Sequence, residues 1–216
     1  MKRISIIVLC PVLVFILFSQ TFAQELKSIQ LPKPQLDGGK PLMQALKERK
    51  SAREFSSEKI PLQVLSNLLW AASGVNRSDS GKRTASSAAN WQEIDVYVAT
   101  AEGLYLYDAK PHLLKPVLAS DIRALAGRQA FVKDAPLNLI YVADFSRIGR
   151  GTNEEKEFFS AADTGFIAQN VYLFCASEGL ATVVRANIDR ETLAKTMKLG
   201  PDQRITLSQT VGYPKK

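Results

Sequence analysis

Cysteine and histidine are nearly absent from this chain. Its 216 residues contain two cysteines, Cys10 and Cys175, and a single histidine, His112. Because we expect Cys10 to leave with an N-terminal targeting segment, Cys175 has no partner for an intrachain disulfide. So few cysteines and histidines also exclude a His/Cys zinc site, and no metal is predicted. A Ser-His-Asp triad would depend on His112, for which an exposed turn is the better interpretation.

A concentrated charge of one sign is also missing. The chain carries 28 lysines and arginines against 21 aspartates and glutamates, a formal net charge of +7. The cations are scattered and accompany no nucleic-acid-binding motif, so we expect no nucleic acid partner. A small anionic ligand is compatible with this mild excess. No internal repeat or low-complexity segment is present, and the length suits one domain with its own core.

Residues 1–23 have the parts of a signal peptide. Lys2 and Arg3 precede an uncharged apolar run, Ile6–Phe18, and small residues stand at the expected cleavage positions in Thr21–Ala23. We predict cleavage after Ala23, export to the periplasm, and no membrane contact after cleavage. The alternative is that the segment is retained as a membrane anchor.

Hydrophobic periodicity divides the rest of the chain into an extended arm, 24–40, and one domain, 41–216. Helices are predicted over 41–49, 61–73, 121–126, 154–179 (with a break near 161) and 189–199. Strands are predicted over 94–100, 104–107, 136–143, 181–185 and 204–211. Residues 76–83 and 111–116 are predicted to be irregular, and 144–153 to form a mobile lid. Because helices outnumber strands and two strands form a hairpin, the predicted fold class is α+β.

Three cations and a hydroxyl fall within the five residues Arg49–Arg53. This segment follows a predicted helix and leads into a loop, where side chains can converge on one small anion. Guanidinium groups and hydroxyls pair well with phosphate oxygens, so the segment predicts a phosphate site. The alternative is a solvated basic turn, which is common on protein surfaces.

Small residues, then two amides on either side of an aromatic, make up the segment Thr84–Gln92. Small side chains let the backbone approach a flat ligand closely. Asn90 and Gln92 can offer hydrogen-bond donors and acceptors to the edge of a heterocycle. The alternative is a serine-rich loop before a strand.

The longest predicted helix is apolar on nearly every side from Phe166 to Ala176. A helix of this kind is buried by more than one partner, which indicates a central helix or a subunit interface. Cys175 fits there as a small packing residue, with a reactive thiol as the alternative.

Taken in order, these segments resemble the nitroreductase family of FMN-dependent oxidoreductases over most of residues 41–214. The opening motif, Arg-(Arg/Lys/His)-Ser-x-(Arg/Lys), is met by Arg49–Arg53. The motif Pro-Ser-x-x-Asn-x-Gln is met by Ser86–Gln92, with Ser86 in place of the usual proline. The run Asp-x-Gly-x-x-x-Gln-Asn, which leads into a buried helix ending Gly-Leu, is met between Asp163 and Leu180, and the ending Val211–Pro214 matches too.

The resemblance implies a central, mostly antiparallel sheet surrounded by helices. It also implies a homodimer, with the long buried helix at the dimer interface and FMN in a groove between the subunits. The phosphate and ribityl chain would be held by Arg49, Lys50 and Ser51, and Arg53 would lie near the pyrimidine edge of the flavin. There a fixed cation favours the anionic reduced flavin.

The ring edge would be bonded by Asn90, with Ser87 and Gln92 as further candidates. The segment that covers the other face of the ring corresponds to residues 183–186, where many relatives carry Glu-Gly near flavin N5 and this chain has Arg185 and Ala186. The implied cofactor-binding set is Arg49, Lys50, Ser51, Arg53, Ser87, Asn90, Gln92, Val183, Val184, Arg185, Ala186 and Lys215.

The implied activity is that of an FMN-dependent oxidoreductase. Flavin N5 would take a hydride, and electrons would pass to a nitroaromatic, a quinone or a similar small acceptor by ping-pong exchange. No acid–base residue is nominated as catalytic. The donor stays open, because an exported enzyme would not meet free NADH or NADPH. The alternatives are an exported FMN-binding or storage protein, a thiazoline- or oxazoline-oxidising dehydrogenase, and a domain that has lost its cofactor, against which the intact Arg49–Arg53 motif argues.

Overall fold

A computed structural model of the protein describes residues 25–215. The predicted signal peptide, its cleavage site and Cys10 lie outside the described residues. The helices are α1 (Leu42–Glu48), α2 (Leu62–Ser73), α3 (Phe131–Asp134), α4 (Asn153–Glu178) and α5 (Arg190–Met197). The strands are β1 (Ile29–Gln30), β2 (Val75–Arg77), β3 (Lys82–Arg83), β4 (Ile94–Ala99), β5 (Leu104–Asp108), β6 (Leu113–Leu118), β7 (Leu137–Asp144), β8 (Ala181–Arg185) and β9 (Gln203–Gly212). Short 3-10 turns occupy Ala88–Asn90, Arg123–Ala126 and Phe145–Arg147.

Seven strands form one antiparallel sheet in the order β1-β6-β5-β4-β7-β9-β8. The predicted hairpin is β4–β5, with Val98 opposite Tyr105. β2 and β3 form a separate small hairpin within the predicted loop 76–83. The last strand, β8, pairs only with β9 inside the sheet, so one side of it is an open edge.

The sheet has a hydrophobic core on each face, which explains the continuous apolar run of β7. Leu139 and Tyr141 join a core shared with α2 and α4, while Ile140 and Val142 join a second core that includes Leu193 of α5. Successive side chains of a strand point to opposite faces, so a strand covered on both faces is apolar throughout. The prediction for this strand, and with it the α+β class with helices around a mostly antiparallel sheet, is confirmed.

The helix α4 runs unbroken over Asn153–Glu178, so the predicted break near Ala161 is wrong. Its start is fixed by a capping box, in which Thr152 Oγ1 accepts from the Glu155 N–H and a Glu155 carboxylate oxygen accepts from the Thr152 N–H. Its end is fixed by Gly179 at φ +72°, a left-handed conformation that favours glycine. None of the helices within residues 25–215 is both long and apolar enough to cross a membrane.

The strand β6 corrects the prediction that residues 111–116 are irregular. The prolines at 111 and 116 indicated a break in structure, yet Pro116 lies in β6 opposite Tyr105 of β5. On its other side β6 meets β1 only at Leu113 and Leu114. Pro116 therefore lies where the outer side of the strand has no ladder partner, a position at which strands tolerate proline.

Candidate functional site

The predicted basic cluster, Arg49–Arg53, lies along the open edge of β8. α1 ends at Glu48, and the chain then runs beside the strand. The Ala52 N–H donates to the Thr182 carbonyl at 2.9 Å. An outward-facing group of the edge strand therefore has its partner in the cluster, which fixes the cluster against the sheet.

The C-terminal residues lie beside the same stretch of chain. The Ser56 N–H donates to the Tyr213 carbonyl at 2.9 Å, and the Lys215 N–H donates to the Glu54 carbonyl at 3.4 Å. Lys215 is exposed and stands next to the end of the cluster. The structure thus brings Lys215, a predicted phosphate contact, to the cluster from the far end of the sequence.

Tyr172 of α4 joins the cluster to β8, a role that no sequence motif predicted. Its hydroxyl lies 2.8 Å from Ser51 Oγ and accepts from the Val184 N–H at 3.0 Å. The guanidinium carbon of Arg49 lies 5.2 Å from the centre of the Tyr172 ring, a cation–π contact. An aromatic within an apolar helical run is usually a packing residue, and the ring of Tyr172 is indeed 7% exposed.

The cations of the cluster have no acidic partner among the residues that the structure describes. None of the ion pairs within residues 25–215 involves Arg49, Lys50 or Arg53. Of the cluster, Lys50 and Ala52 line a cavity of about 420 Å³, together with Glu48, Tyr172 and Thr182 among others. Cations that have no acidic partner among the described residues, next to such a cavity, can bind a small anion, and this is compatible with the phosphate interpretation.

The second predicted group lies on a tightly constrained loop, residues 86–92. The Ala88 N–H donates to Asp163 Oδ2 of α4 at 2.8 Å. Three residues of the loop have left-handed backbones, Ala89 at φ 48°, Asn90 at φ 56° and Gln92 at φ 51°. Residues other than glycine adopt this conformation at a cost, and such residues cluster at ligand-binding sites.

Gln92 is bonded to the protein through both its side chain and its backbone. Its Oε1 accepts from Arg83 Nε at 3.0 Å, and its Nε2 donates to Asn90 Oδ1 at 3.1 Å. Its N–H donates to Ser87 Oγ at 3.0 Å, and its carbonyl accepts from Arg147 Nη1 at 2.9 Å. Gln92 therefore shapes the loop, which leaves the exposed Asn90 as the amide that can reach a ligand. The bond from Arg147 also ties the segment predicted as a mobile lid to this loop.

The end of β8 carries the third predicted group. Val183 is buried, Val184 is half-buried and Ala186 is exposed. The Arg185 side chain turns into the protein and is 5% exposed. Only the backbone of this residue can therefore line a ligand at the open edge.

The guanidinium of Arg185 is a buried cation with few partners among the described residues to stabilise its charge. Its Nη2 donates to Asn138 Oδ1 at 2.8 Å, and its guanidinium carbon lies 5.8 Å from the centre of the Phe131 ring. Nε and Nη1 have no hydrogen-bond partner within the described residues. Burial lowers the pKa of Arg185 to about 10, so the group is still charged at neutral pH.

A buried carboxyl pair, Glu93 and Asp163, supports the loop from below and was missed by the sequence analysis. Glu93 is fully buried, and within residues 25–215 neither of its carboxyl oxygens has a hydrogen-bond partner by distance and angle. Burial, together with the nearby charge of Asp163, raises the pKa of Glu93 to about 7. Burial also raises the pKa of Asp163. Two buried carboxyl groups side by side retain a proton more readily than either would alone.

The two scarce residue types have structural roles. Ser66 Oγ donates its hydrogen to the Pro32 carbonyl, so His112 Nε2, at 2.7 Å, must be the donor to Ser66. His112 Nδ1 then accepts from the Tyr107 hydroxyl at 2.9 Å. The histidine is half-buried rather than exposed as predicted, and it cannot act as a base towards Ser66.

Cys175 is fully buried, and burial raises the pKa of its thiol well above the ordinary range, which confirms a packing residue.

The structure thus brings the basic cluster, Lys215 and β8 together around Tyr172. The loop 86–92 meets α4 at Asp163, nine residues before Tyr172. At a rise of about 1.5 Å per residue, these two parts of the site are about 14 Å apart along the helix.

Comparison with known proteins identifies the family. The profile of the nitroreductase family matches residues 46–213. A Methanocaldococcus jannaschii protein assigned as a nitroreductase is 34% identical over 161 residues, which cover 69% of this chain and 81% of that protein. A crystal structure assigned as a nitroreductase of Ralstonia eutropha JMP134 superposes with a TM-score of 0.84 at 47% identity, over 88% of this chain and 90% of that chain.

A more distant structure, NADPH:FMN oxidoreductase of Vibrio harveyi complexed with NAD+, superposes with a TM-score of 0.60 over 81% of this chain and 69% of that chain. At 20% identity this similarity is one of fold. The family match takes in the basic cluster, the loop 86–92 and β8. The chain therefore belongs to the nitroreductase family and is an oxidoreductase.

Proposed function

We propose that this protein is an FMN-dependent oxidoreductase that reduces a nitroaromatic, a quinone or a similar small acceptor by ping-pong exchange. The observation that carries the proposal is the unpaired basic cluster fixed along the open edge of β8. A nucleotide-like ligand needs a fixed anion site beside a surface that accepts a flat ring. The protein named for FMN among the fold neighbours, from Vibrio harveyi, is consistent with this choice of flavin.

The phosphate and ribityl chain are assigned to Arg49, Lys50 and Ser51, with Lys215 as a further cation. The chain's residues fit such a group because the cluster's cations have no acidic partner in the described part of the chain and the Ser51 hydroxyl contacts a cavity residue, Tyr172. Charge-assisted bonds from guanidinium and ammonium groups supply most of the affinity in sites of this kind.

The flavin ring is assigned to the space between the loop 86–92 and the end of β8. Asn90 and Ser87 would bond its edge, Arg53 would stand at its pyrimidine side, and residues 183–186 would cover one face. When bound, FMN supplies the hydride acceptance and the onward transfer of electrons. The protein binds and orients the ring, places fixed cations near it and excludes water; no side chain is assigned to proton transfer.

We further propose a homodimer, with α4 at the interface. Phe158 and Phe166 of α4 are 70% and 48% exposed, and Leu42 and Met43 of α1 are 62% and 75% exposed. Large apolar side chains exposed together mark interaction surfaces. Light scattering of the purified protein at micromolar concentration should give twice the mass of one chain, and a monomer would contradict the proposal.

Residues 1–23 are proposed to direct export to the periplasm. Free NADH and NADPH are cytoplasmic, so the proposed physiological donor is another reduced carrier or a protein. A fusion of residues 1–23 to a reporter that is active only in the periplasm tests the export, and a silent reporter would overturn it.

The oxidoreductase assignment is tested by anaerobic reduction of the flavin-loaded protein. A donor such as NADPH or a reduced quinol should bleach the flavin bands, and a nitroaromatic or quinone added afterwards should restore them. Bleaching by dithionite alone, with no response to any biological donor, would favour a flavin carrier over an enzyme.

A further inference from the structure

The hydroxyl of Tyr172 connects the two parts of the cofactor site that are otherwise separate in the chain. On one side it lies 2.8 Å from Ser51 Oγ, in the segment assigned to the phosphate. On the other side it accepts from the Val184 N–H at 3.0 Å, in the segment assigned to the ring face. The Tyr172 oxygen is therefore the hydrogen-bond partner both of Ser51, which is assigned to the phosphate, and of β8, the strand assigned to cover the flavin ring.

Either oxygen can be the donor across the contact between Tyr172 and Ser51, and the direction from Tyr172 to Ser51 suits an anionic ligand. The Val184 N–H occupies one lone pair of the Tyr172 oxygen, so the phenol hydrogen is available to Ser51 Oγ. A serine that accepts a hydrogen bond from Tyr172 has its own hydrogen free for a phosphate or ribityl oxygen. Tyr172 thus presents Ser51 as a donor towards the ligand.

The ring of Tyr172 cannot easily take another position. It is 7% exposed within α4, and the guanidinium of Arg49 lies over one face at 5.2 Å. Val184 belongs to β8, the edge strand. Among the described residues, the other backbone hydrogen bond on the open side of this strand runs from the Ala52 N–H to the Thr182 carbonyl at 2.9 Å. Movement of the cluster would be passed to β8 through these two bonds.

We propose that Tyr172 is a positioning residue that couples phosphate recognition to the placement of β8 over the flavin ring, and so makes the site select FMN over riboflavin. The role rests on the proposed function. Tyr172 donates to Ser51, Ser51 donates to the phosphate, and the same hydroxyl holds Val184 in place. Riboflavin, which lacks the phosphate, gains nothing from this linkage.

The first test compares FMN and riboflavin binding to flavin-free wild-type protein and to Tyr172→Phe. The substitution removes one oxygen atom and leaves the packed ring, so the fold is retained. Loss of the bond to the Val184 N–H acts on both flavins alike, because both carry the ring that β8 covers, so the riboflavin affinity measures this shared effect and should change less than about twofold. The dissociation constant for FMN should rise about tenfold, which is the usual effect of losing one such bond.

Ser51→Ala and the double variant isolate the pathway. If Tyr172 acts through Ser51, adding Tyr172→Phe to the Ser51→Ala protein should weaken FMN binding by a further factor of less than about two. Tyr141→Phe is the matched control, because Tyr141 is a fully buried tyrosine whose hydroxyl bonds Gln209 in the core. This control should leave the preference for FMN unchanged.

A second measurement needs no flavin. Inorganic phosphate added to the wild-type protein should slow hydrogen exchange of the Val184 amide severalfold, and it should have no such effect in Tyr172→Phe. An unchanged FMN-to-riboflavin ratio in Tyr172→Phe, or fully additive losses in the double variant, would overturn the proposed role. Wild-type protein that binds neither flavin, yet whose Val184 amide still responds to phosphate, would overturn the proposed function and leave the linkage standing.

Discussion

The guanidinium of Arg49 lies over the ring of Tyr172, with 5.2 Å between its central carbon and the ring centre. This contact unites a residue predicted from the sequence with one that was not. It places the first cation of the basic cluster against the central helix, at the open edge of the sheet. The cluster is therefore a built part of the fold, and its chemistry can be tested residue by residue.

Removing the first two cations of the cluster should release the cofactor. In the double variant Arg49→Ala with Lys50→Ala, two charge-assisted contacts worth about 1.5–3 kcal/mol each are lost, so the dissociation constant for FMN should rise at least about a hundredfold. Fluorescence titration of flavin-free protein measures it. Lys59→Ala with Lys195→Ala removes two exposed cations elsewhere and should leave affinity unchanged. Retention of flavin at native affinity would show that the phosphate site is misplaced.

Arg185 should raise the reduction potential of the bound flavin. Its buried guanidinium has no carboxylate partner among the described residues and lies at the end of β8. A fixed cation near the ring favours the reduced, anionic flavin, so Arg185→Met should shift the midpoint potential to a lower value. Equilibration with a redox dye measures the shift. A potential equal to that of the wild-type protein would mean that the charge is too far from the ring to matter.

Gly127 and Arg185 should show strong energetic coupling. A Cβ atom at position 127 would lie 2.1 Å from Arg185 Nη1 and 3.1 Å from Gln129 Oε1, and the backbone there is extended, so the cost of Gly127→Ala comes chiefly from the clash with Arg185. We expect Gly127→Ala to lower the free energy of unfolding by about 1–3 kcal/mol. In an Arg185→Met background most of that loss should disappear. Urea unfolding measures the loss of free energy of unfolding caused by Gly127→Ala. An equal loss in the wild-type and Arg185→Met backgrounds would contradict the contact.

Glu93 should make the protein less stable as the pH rises towards neutrality. Its pKa is about 7 in the folded state against an ordinary 4.5, so the folded state holds a proton that the unfolded state has released between these values. The stabilisation is complete below about pH 4.5 and is lost as the pH rises through about 7. Glu93→Gln should remove this loss and be more stable than the wild-type protein above pH 7, by about 2 kcal/mol.

Thermal unfolding at a series of pH values checks the Glu93 prediction. Glu102→Gln is the control, because Glu102 is an exposed carboxyl whose pKa is lowered by its hydrogen bond to Lys59. That variant should gain nothing above pH 7. A Glu93→Gln protein with the same pH dependence as the wild type would mean that Glu93 is ionised in the fold.

The sequence predicted those parts of the fold where local pattern and tertiary structure agree. β7 is apolar except at Asn138 and Asp144, because alternate side chains of the strand enter two different cores. The helix predicted from residue 189 onwards begins where Asp189 caps α5 by accepting from the Thr192 N–H at 3.1 Å. β6 was missed because Pro116 is a local signal against a strand, whereas its pairing with β5 is a long-range effect.

The residues of the candidate site likewise divide into those that a local sequence pattern predicts and those that only the fold brings together. The cations of Arg49–Arg53 are recognisable because three of them and a hydroxyl fall within five residues directly after a predicted helix. Tyr172 was invisible because a hydroxyl in an apolar helical run carries no signal of what it will meet. Glu93 was equally hidden, since only the fold places Asp163 beside it and excludes water.

The central claim is that the site binds FMN, and the visible absorption spectrum of purified protein comprising residues 24–216 tests it most directly. We expect flavin bands, and release of FMN rather than FAD or riboflavin when an aliquot is denatured. Colourless protein that also fails to take up added FMN would leave the fold and the family intact and would contradict the assignment of the cluster, the loop and β8 to a flavin.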